Sequence, residues 1–309
     1  MTASDPEAVL VTGASGFIGR HIVAALGGRR RVIPLRVRAG DDCRRALAEK
    51  LTVGRAGVLI HAAGRAHMRD RDPAIAEHAH HRDNCELTRD LAEACVDAGV
   101  RRFVFLSTIH VVATTSAPGV PLRFDQPPAP TTAYARAKLQ AETELTRLSR
   151  AGRIEVAIVR PPLVYGAGAK GNLARLAAAI EAGVPLPLAR VRNRRSLMNV
   201  RDLAALLERL VDIEQLPAAP LLAADTAPVS MADLVRALAA ALGRPSRLFP
   251  CPDSVLRLTL LGMGRTAMAE QLLANLEVDI GPTCGATGWR PSHGLQQGLA
   301  AFAEARSRS

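Results

Sequence analysis

The sequence predicts an α/β fold: a doubly wound parallel sheet followed by a smaller, mostly helical C-terminal lobe. A buried strand over residues 9–11 runs into three glycines spaced Gly-x-x-Gly-x-x-Gly, and an amphipathic helix over residues 18–26 follows. Short apolar runs then alternate with helical periodicity as far as about residue 165, the pattern of parallel strands joined by helical crossovers. Beyond that point helical segments dominate. We therefore expect one domain over residues 1–165 and a second lobe over 166–309, with some segments returning to the sheet.

Composition excludes several classes of protein. The chain has 309 residues, 48% of them hydrophobic, which is enough for a large core, and no apolar run reaches the length of a membrane span. Residues 1–7 contain neither a basic region nor an apolar segment, so no signal peptide is expected. Five cysteines without a Cys-x-x-Cys motif indicate reduced thiols in a cytoplasmic protein, rather than disulfides or a metal site.

The formal net charge of +11 raises the question of nucleic-acid binding. The chain has 40 basic residues, all arginine except Lys50, Lys138 and Lys170, and its aromatic content is only 3%. Because the arginines are dispersed and aromatic stacking platforms are scarce, a general arginine bias explains the charge better than a nucleic-acid surface. We expect no nucleic-acid partner. The charge should instead attract an anionic small substrate.

The three glycines after the first strand, Gly13, Gly16 and Gly19, suit a phosphate-binding turn. Gly13 permits the tight turn, and Gly16 lets backbone N–H groups approach a pyrophosphate. Gly19 lets the helix pack closely against the strand, so that its N-terminal amides face the anion. This is the Rossmann-type arrangement for a dinucleotide. Such turns also occur without a ligand, so further motifs must support the interpretation.

The end of the second strand bears on which dinucleotide binds. In a Rossmann unit specific for NAD, an acidic residue closes this strand and holds the adenosine ribose hydroxyls. Here the strand over residues 31–35 is followed by Arg36 and Arg38. A guanidinium can bind a 2′-phosphate through two hydrogen bonds, although arginine is common throughout this chain. We expect NAD or NADP, with NADP slightly favoured.

The third strand, over residues 57–60, ends at His61-Ala62-Ala63-Gly64, where small residues let the backbone lie beside a cofactor. The polar region over residues 65–82 follows. Its histidines, His78, His80 and His81, lack the partners of a metal site, and we interpret them as a solvated helix face.

A helix over residues 84–99 precedes the fourth strand, over residues 102–106, which ends in Ser107 and Thr108. The carboxyl ends of strands are where ligands of open α/β sheets bind. The following loop, residues 113–132, is too long for a simple connection and is expected on the substrate side.

The strongest single signal is the pair Tyr134 and Lys138, which opens a helix over residues 134–149. Residues four apart share a helix face, so the two side chains lie one turn apart. An unperturbed phenol titrates near pH ~10, too high for a base at neutral pH. A lysine ammonium and a positively charged nicotinamide would both favour the phenolate, so we expect the Tyr134 pKa to fall.

The rest of the chain predicts a fifth strand over residues 156–160 and a stiff segment, 161–166, whose backbone could fix a flat ring. Helices are expected over residues 173–182, 202–211 and, capped by Ser230, 231–242. Two more helical stretches and a turn at Trp289 complete the C-terminal lobe, with the indole in the core of that lobe.

Six motifs carry a resemblance to a known family. They are Thr12 through Gly19, His61-Ala62-Ala63, Asn84, Ser107-Thr108, Tyr134-x-x-x-Lys138 and the segment from Arg160 to Gly166. Together they resemble the extended short-chain dehydrogenase/reductase family, of NAD-dependent epimerase/dehydratase type, over almost the whole chain. Residues 165–172 and 193–197 look most like the branch of UDP-sugar 4-epimerases and 4-keto-sugar reductases of bacterial surface-polysaccharide synthesis.

The resemblance implies a set of roles. Tyr134 would be the acid/base, Lys138 would lower its pKa and hold the nicotinamide ribose, and Thr108 would bind the substrate hydroxyl. Asn172 and Arg195 would bind the diphosphate of a nucleotide-sugar substrate. The implied cofactor-binding residues are Gly13, Ser15, Gly16, Phe17, Ile18, Gly19, Arg36, Arg38, His61, Ala62, Ala63, Asn84, Tyr134, Lys138, Pro161 and Val164. A homodimer is also implied, with residues 84–99 and 134–149 as its interface.

An epimerase and a reductase need nearly the same residues, so both stay open. Arg36 favours the reductase, because reductases exchange NADPH. The sequence resemblance is closer to the 4-epimerases and favours the epimerase. A dehydratase is disfavoured, because its Asp-Glu pair after the threonine is Ile109-His110 here. A non-catalytic NAD(P)-binding sensor shares the fold, but such proteins generally lose the pair that Tyr134 and Lys138 form here.

Overall fold

The structure, a computed structural model, describes residues 7–51, 56–65 and 72–308. Residues 1–6, which contain most of the segment used to judge a signal peptide, lie outside the described residues. So do residues 66–71 of the polar region after the third strand. In the part of the chain that is described, no helix is both long and apolar enough to cross a bilayer.

All five strands predicted from the sequence are present near their expected positions, and three short strands that the sequence did not predict follow them in the described part of the chain. Their bounds are β1 Ala8–Thr12, β2 Val32–Leu35, β3 Ala56–His61, β4 Arg102–Leu106, β5 Glu155–Arg160, β6 Leu163–Tyr165, β7 Leu197–Asn199 and β8 Leu221–Leu222. Within the described ranges, six of them form one parallel sheet in the order β2-β1-β3-β4-β5-β8, and β6 pairs with β7. The winding direction reverses between β1 and β3. The doubly wound sheet is thus confirmed, and its reversal point is where such sheets bind ligands.

The helices are α1 Phe17–Leu26, α2 Cys43–Leu51, α3 Pro73–His80, α4 Leu87–Asp97, α5 Ala133–Arg150, α6 Asn172–Glu181, α7 Val200–Asp212, α8 Met231–Ala241, α9 Asp253–Gly262, α10 Thr266–Leu273, α11 Gly281–Thr287 and α12 Leu295–Ser307. A π-helical turn, His81–Glu86, joins α3 to α4, and a short 3-10 turn, Ile109–Val111, follows β4. The helix predicted over residues 84–99 therefore begins at Leu87. The prediction of two helices after α8 is wrong, because α9 to α12 all follow it among the described residues.

Alternate residues of the central strands point to opposite faces of the sheet. Leu10 and Phe105 pack in a core with α2, α4 and α5, whereas Val9 and Val11 pack on the other face with α1 and α7. Trp289 belongs to this second core, where its Nε1 donates to the carbonyl oxygen of Asp202 at 3.1 Å. The expected burial of this indole is confirmed, but it lies under the sheet, because α7 and β8 return to the sheet from the C-terminal half.

The third core lies in the C-terminal half and includes side chains of α6, α8, α9, α10 and α12. Asn199 caps α7 by accepting from the backbone N–H of Arg201 at 3.0 Å, and Ser230 caps α8 by accepting from that of Asp233 at 3.0 Å. With these caps, both helices begin within two residues of the starts that the sequence predicts.

Candidate active site

The turn between β1 and α1 is held close to the end of β3. Gly13 has a φ of +68°, and the backbone N–H of Gly16 donates to its carbonyl oxygen at 2.8 Å. A Cβ added at Gly13 would lie 2.8 Å from the backbone nitrogen of Ala63, and one at Gly19 would lie 1.9 Å from the carbonyl oxygen of Gly13. Both glycines are therefore required sterically, as predicted from their spacing.

The first turn of α1 fits an anionic group. Gly16 is the N-cap residue, and among the described residues no side chain caps this helix or places a carboxylate in its first turn. Ser15 and Gly16 are exposed, and Phe17 and Ile18 are half-buried behind them. The backbone amides at this end consequently face the open edge of the sheet, where a pyrophosphate would complement their partial positive charge.

Arg36 and Arg38 are exposed beyond the end of β2, the neighbour of β1. Within the described ranges, neither guanidinium has a carboxylate at ion-pair distance; the backbone N–H of Arg38 donates to Asp41 at 2.7 Å. Both side chains thus have free donors at the end of the crevice where the adenosine ribose of a dinucleotide would lie.

His61, at the end of β3, has its ring buried inside the sheet. Its Nδ1 lies 2.7 Å from Thr12 Oγ1 and its Nε2 lies 3.1 Å from Thr88 Oγ1. Burial, with a further contribution from the Lys138 charge, lowers the pKa of His61 to about 3, so the ring stays neutral. A cofactor contact here is left to the backbone, as expected for the small residues Ala62 and Ala63 that follow at the crevice.

Lys138 is buried at the carboxyl end of β4. Its Nζ donates to the carbonyl oxygen of Leu106 at 2.9 Å and lies 4.4 Å from the centre of the Phe105 ring. A Cβ added at Gly64 would lie 3.2 Å from Nζ, so the end of β3 passes directly beside the ammonium. Burial lowers the pKa of Lys138 to about 7, against the opposing effect of Glu142.

Tyr134 opens α5, whose N-cap, Thr132, accepts from the backbone N–H of Ala135 at 3.2 Å. The ring of His80 meets the Tyr134 ring edge-on, with centroids 5.8 Å apart. Burial raises the pKa of Tyr134 to about 12. Lys138 does not lower this pKa among the protein's own groups; its lowering by the ammonium together with a bound nicotinamide stays a prediction.

Asn84 lies in the π-helical turn and is buried. Its Oδ1 accepts from the backbone N–H of Arg65 at 3.0 Å, and its Nδ2 contacts the carbonyl oxygens of Arg65 and His80 and the Nδ1 of His80 at 3.2–3.3 Å. The interpretation of His78, His80 and His81 as a solvated face is wrong for His80, which is buried between Asn84 and Tyr134; His78 is exposed.

Thr108 follows β4 and is nearly buried. Its Oγ1 accepts from the backbone N–H of His110 at 3.3 Å, and the next residue, Ile109, donates its N–H to the carbonyl oxygen of Pro161 at 2.9 Å. Pro161 is buried, and Val164 in β6, three residues later in the chain, is half-buried. Burial, and then the charge of Arg195, lower the pKa of His110, which indicates a neutral imidazole close to that guanidinium.

The predicted substrate residues Asn172 and Arg195 both contact the end of α10. Asn172 begins α6 and donates from Nδ2 to Gln271 Oε1 at 3.0 Å. Arg195 donates from one guanidinium nitrogen to the carbonyl oxygens of Ala274 and Glu270, at 3.0 and 3.4 Å. Burial lowers the pKa of Arg195. The structure thus brings these two residues to one segment of the C-terminal half.

Comparison with known proteins decides the family. The model of the NAD dependent epimerase/dehydratase family matches residues 9–216. The chain belongs to this family. The resemblance to the extended short-chain dehydrogenases/reductases is thereby confirmed.

Relatives of this epimerase/dehydratase family member match nearly its whole length. The UDP-glucose 4-epimerase of Vibrio cholerae is 31% identical over 97% of this chain and 95% of its own. A UDP-glucuronic acid 4-epimerase from Bacillus cereus, solved in complex with NAD, has a TM-score of 0.77 at 17% identity over 97% of this chain and 99% of that one. RMD from Pseudomonas aeruginosa, complexed with NADPH, has a TM-score of 0.75 at 21% identity, covering 98% and 100%. The two solved structures show the shared fold.

Sequence analysis missed one buried network in this family member. Glu142, one turn after Lys138 on α5, forms a buried ion pair with Arg160 at the end of β5 and accepts the Ser107 hydroxyl hydrogen bond at 2.5 Å. Ser107 immediately precedes Thr108, so the network fixes the strand end that carries the threonine. The available signals were an acid at helical spacing from Lys138 and an arginine within a buried strand.

Proposed function

We propose that this protein is an NAD(P)-dependent enzyme of nucleotide-sugar metabolism that acts at C4 of the sugar. The specific proposal is a cytoplasmic 4-epimerase of a UDP-hexose or UDP-N-acetylhexosamine in surface-polysaccharide synthesis. One observation carries it: Tyr134 and Lys138 lie one turn apart on α5, at the carboxyl end of β4 where Thr108 also lies. The likeness to the Vibrio cholerae UDP-glucose 4-epimerase, over nearly the full length of both chains, supports the substrate class.

The cofactor in this proposal is NAD or NADP, held along the crevice between β1 and β3. The glycine turn and the first amides of α1 would hold the pyrophosphate, and Arg36 with Arg38 the adenosine end. Lys138 and Asn84 would lie at the nicotinamide end, since the end of β3 passes beside both side chains. The remaining proposed contacts come from Ser15, Phe17, Ile18, the backbone at His61, Ala62 and Ala63, and Pro161 and Val164.

The chain's own groups would hold the sugar and move its proton. Thr108 and Tyr134 would bind the 4-hydroxyl, and Tyr134 would accept its proton as the carbon is oxidised. A bound nicotinamide would accept and return the hydride, and its positive charge would favour the phenolate that burial alone disfavours. For epimerisation the keto sugar turns its other face, and Tyr134 returns the proton. Asn172 and Arg195 would anchor the diphosphate during that turn.

A 4-keto-sugar reductase is the second candidate. Arg36 and Arg38 favour it, because free guanidinium groups at the end of β2 suit the 2′-phosphate of NADPH, which a reductase must bind and release at each turnover. The same Tyr134, Lys138 and Thr108 would then deliver a proton to the C4 oxygen. A non-catalytic sensor would not need this placement of the phenol.

The experiment is to incubate the purified protein separately with UDP-glucose, UDP-galactose and UDP-N-acetylglucosamine and a catalytic amount of NAD. Proton NMR should show the C4 epimer appearing from either side of the equilibrium, without net consumption of cofactor. Stoichiometric oxidation of NADPH with a 4-keto sugar nucleotide, and no epimer from any UDP-sugar, would establish the reductase instead. No reaction in either assay would contradict both.

The proposal also includes a homodimer that buries α4 and α5, the helices around residues 84–99 and 134–149. Light scattering on the eluted protein should give twice the mass of one chain. A monomer with full activity would remove this part of the proposal and leave the reaction unaffected.

A further inference from the structure

Exposed apolar side chains are concentrated in one stretch of the C-terminal half. Among the large hydrophobic side chains that are exposed in the described part of the chain, six fall within twenty consecutive residues. They are Phe249, Val255, Leu258, Leu261, Met263 and Met268, which we call the α9–α10 patch. Leu258 is 69% exposed, the highest of all those side chains. Exposed apolar side chains that are concentrated in this way are typical of an interaction surface.

Helix α9 has two apolar faces. Leu256 and Leu260 point inward and belong to the core of the C-terminal half. Val255, Leu258 and Leu261 recur at intervals of three on the other side of the helix and are exposed. A helix that packs on one side of a domain normally presents charged or polar residues to water. The outer face of α9 is therefore suited to lie against an apolar surface outside the domain.

The charges around the patch restrict which kind of apolar surface can bind it. Arg257 and Arg265 are exposed, and among the described residues neither has a carboxylate within ion-pair distance. Residues 244–273 contain four arginines against Asp253 and Glu270, and the whole chain has a net charge of +11. A second copy of this chain would bring the same positive charge against the patch. A surface of negative charge over an apolar interior complements both features.

The patch is tied to the candidate substrate residues. The residues that follow or end α10 accept hydrogen bonds from Asn172, Arg195 and Asn193, the last donating from Nδ2 to Ala274 at 3.0 Å. Helices α9 and α10 and this side of the candidate site are thus parts of one packed unit. Whatever covers the patch is therefore connected through α10 to the candidate substrate residues.

From these observations we propose that the α9–α10 patch docks the protein onto a lipid bilayer that has anionic headgroups. Val255, Leu258 and Leu261 enter the boundary of the acyl chains, while Arg257 and Arg265 remain at the headgroup level. The docking is peripheral and reversible, because the apolar contribution comes from a few side chains of one helix pair. It is a property beyond the proposed reaction, and it needs neither the cofactor nor the sugar.

The test is co-sedimentation of the purified full chain with vesicles of phosphatidylglycerol and phosphatidylcholine, and with vesicles of phosphatidylcholine alone. We expect binding to the anionic vesicles that weakens with added salt, and little binding to the neutral ones. The double variant Val255→Ser/Leu258→Ser should bind the anionic vesicles at least about tenfold more weakly, because it removes most of the apolar contact. Arg257→Gln/Arg265→Gln should lower binding and its salt dependence.

The matched control is Ile75→Ser/Val120→Ser, which replaces two apolar side chains outside the patch that are 53% and 55% exposed and should bind like the original chain. Circular dichroism checks that each variant is folded. Absence of binding to anionic vesicles, or equal loss in the control, would overturn the proposal. So would a dimer that the patch variant converts to a monomer. Vesicle binding is measured without nucleotide, so its failure and failure of the proposed reaction are distinguishable.

Discussion

The Lys138 ammonium donates a 2.9 Å hydrogen bond to the carbonyl oxygen of Leu106, the last residue of β4. This bond ties the second turn of α5 to the strand end from which Ser107 and Thr108 continue. The same ammonium is buried and lies over the Phe105 ring. Lys138 thus connects the helix that carries Tyr134 to the strand that carries Thr108, besides any contact with a cofactor.

Replacing Lys138 by Met should flatten the dependence of stability on pH. The folded chain releases the Lys138 proton near pH 7, whereas an unfolded lysine holds it to about pH 10.5. The unfolded state therefore binds more protons between these values, and the free energy of unfolding should rise with pH. From pH 7 to pH 9 this group should contribute about 2 kcal/mol. Urea unfolding of both proteins, in the absence of nucleotide, measures the difference.

The control for this prediction is Lys170→Met, since Lys170 is exposed. Its unfolding free energy should follow that of the original chain at every pH, because the Lys170 side chain is in water in the folded chain as it is in the unfolded one. Equal slopes for the Lys138 variant and the original chain would show that Lys138 keeps its charge when folded.

Replacing Tyr134 by Phe should remove catalysis and leave the fold intact. The substitution deletes only the hydroxyl that accepts and returns the substrate proton, so kcat should fall by roughly 10²–10⁴-fold. Tyr165→Phe is the matched control, because the Tyr165 hydroxyl donates to Asp225 at 2.7 Å in a buried site. It should cost about 1–3 kcal/mol of stability and little activity. NMR assays and thermal unfolding of both variants measure the two effects, and full activity of Tyr134→Phe would show that another group accepts the substrate proton.

The parts of the site that sequence analysis located are local in the chain. The spacing of Gly13 and Gly19, and the single helical turn between Tyr134 and Lys138, are determined by neighbouring residues and therefore legible without a fold. The burial of His80 could not be predicted from neighbouring residues, because it depends on the π-helical turn that brings Asn84 against it. A π-helical turn has no sequence period of its own.

Long-range pairing accounts for the other differences. The contact between Glu142 and Arg160 joins α5 to β5, and no sequence pattern identifies which of the many arginines meets a given glutamate. Trp289 lies under the sheet because α7 and β8 return there from the C-terminal half. A division of the chain near residue 165 by strand–helix rhythm alone could not place those two elements.

Replacing Glu142 by Ala should destabilise the protein by about 3–5 kcal/mol, because the buried Arg160 guanidinium loses its counter-charge. Glu304→Ala is the control: its partner Arg308 is on the same exposed helix face, and the loss should stay within about 1 kcal/mol. Urea unfolding at neutral pH measures both changes. Similar small losses for the two variants would mean that Arg160 finds water or another acceptor.

Replacing Gly19 by Ala should abolish dinucleotide binding or weaken it by at least about tenfold. The new methyl would lie 1.9 Å from the carbonyl oxygen of Gly13, so α1 must move away from the turn and its first amides lose their place. Gly28→Ala is the control, since nothing lies within 4 Å of a Cβ there. Fluorescence titration with NADH and NADPH measures both. Unchanged binding by Gly19→Ala would place the dinucleotide elsewhere.

Replacing Arg36 by Glu should reverse any preference for NADPH. A guanidinium at the end of β2 attracts the 2′-phosphate, whereas a carboxylate there repels it and can accept hydrogen bonds from the two ribose hydroxyls of NADH. We expect NADPH to bind at least about tenfold more weakly and NADH to bind equally or more tightly. Arg150→Glu makes the same change of net charge at an exposed position at the end of α5, so it should alter neither affinity. If Arg36→Glu weakened the binding of NADH and of NADPH equally, Arg36 would act through the overall positive charge of the protein and not through the 2′-phosphate.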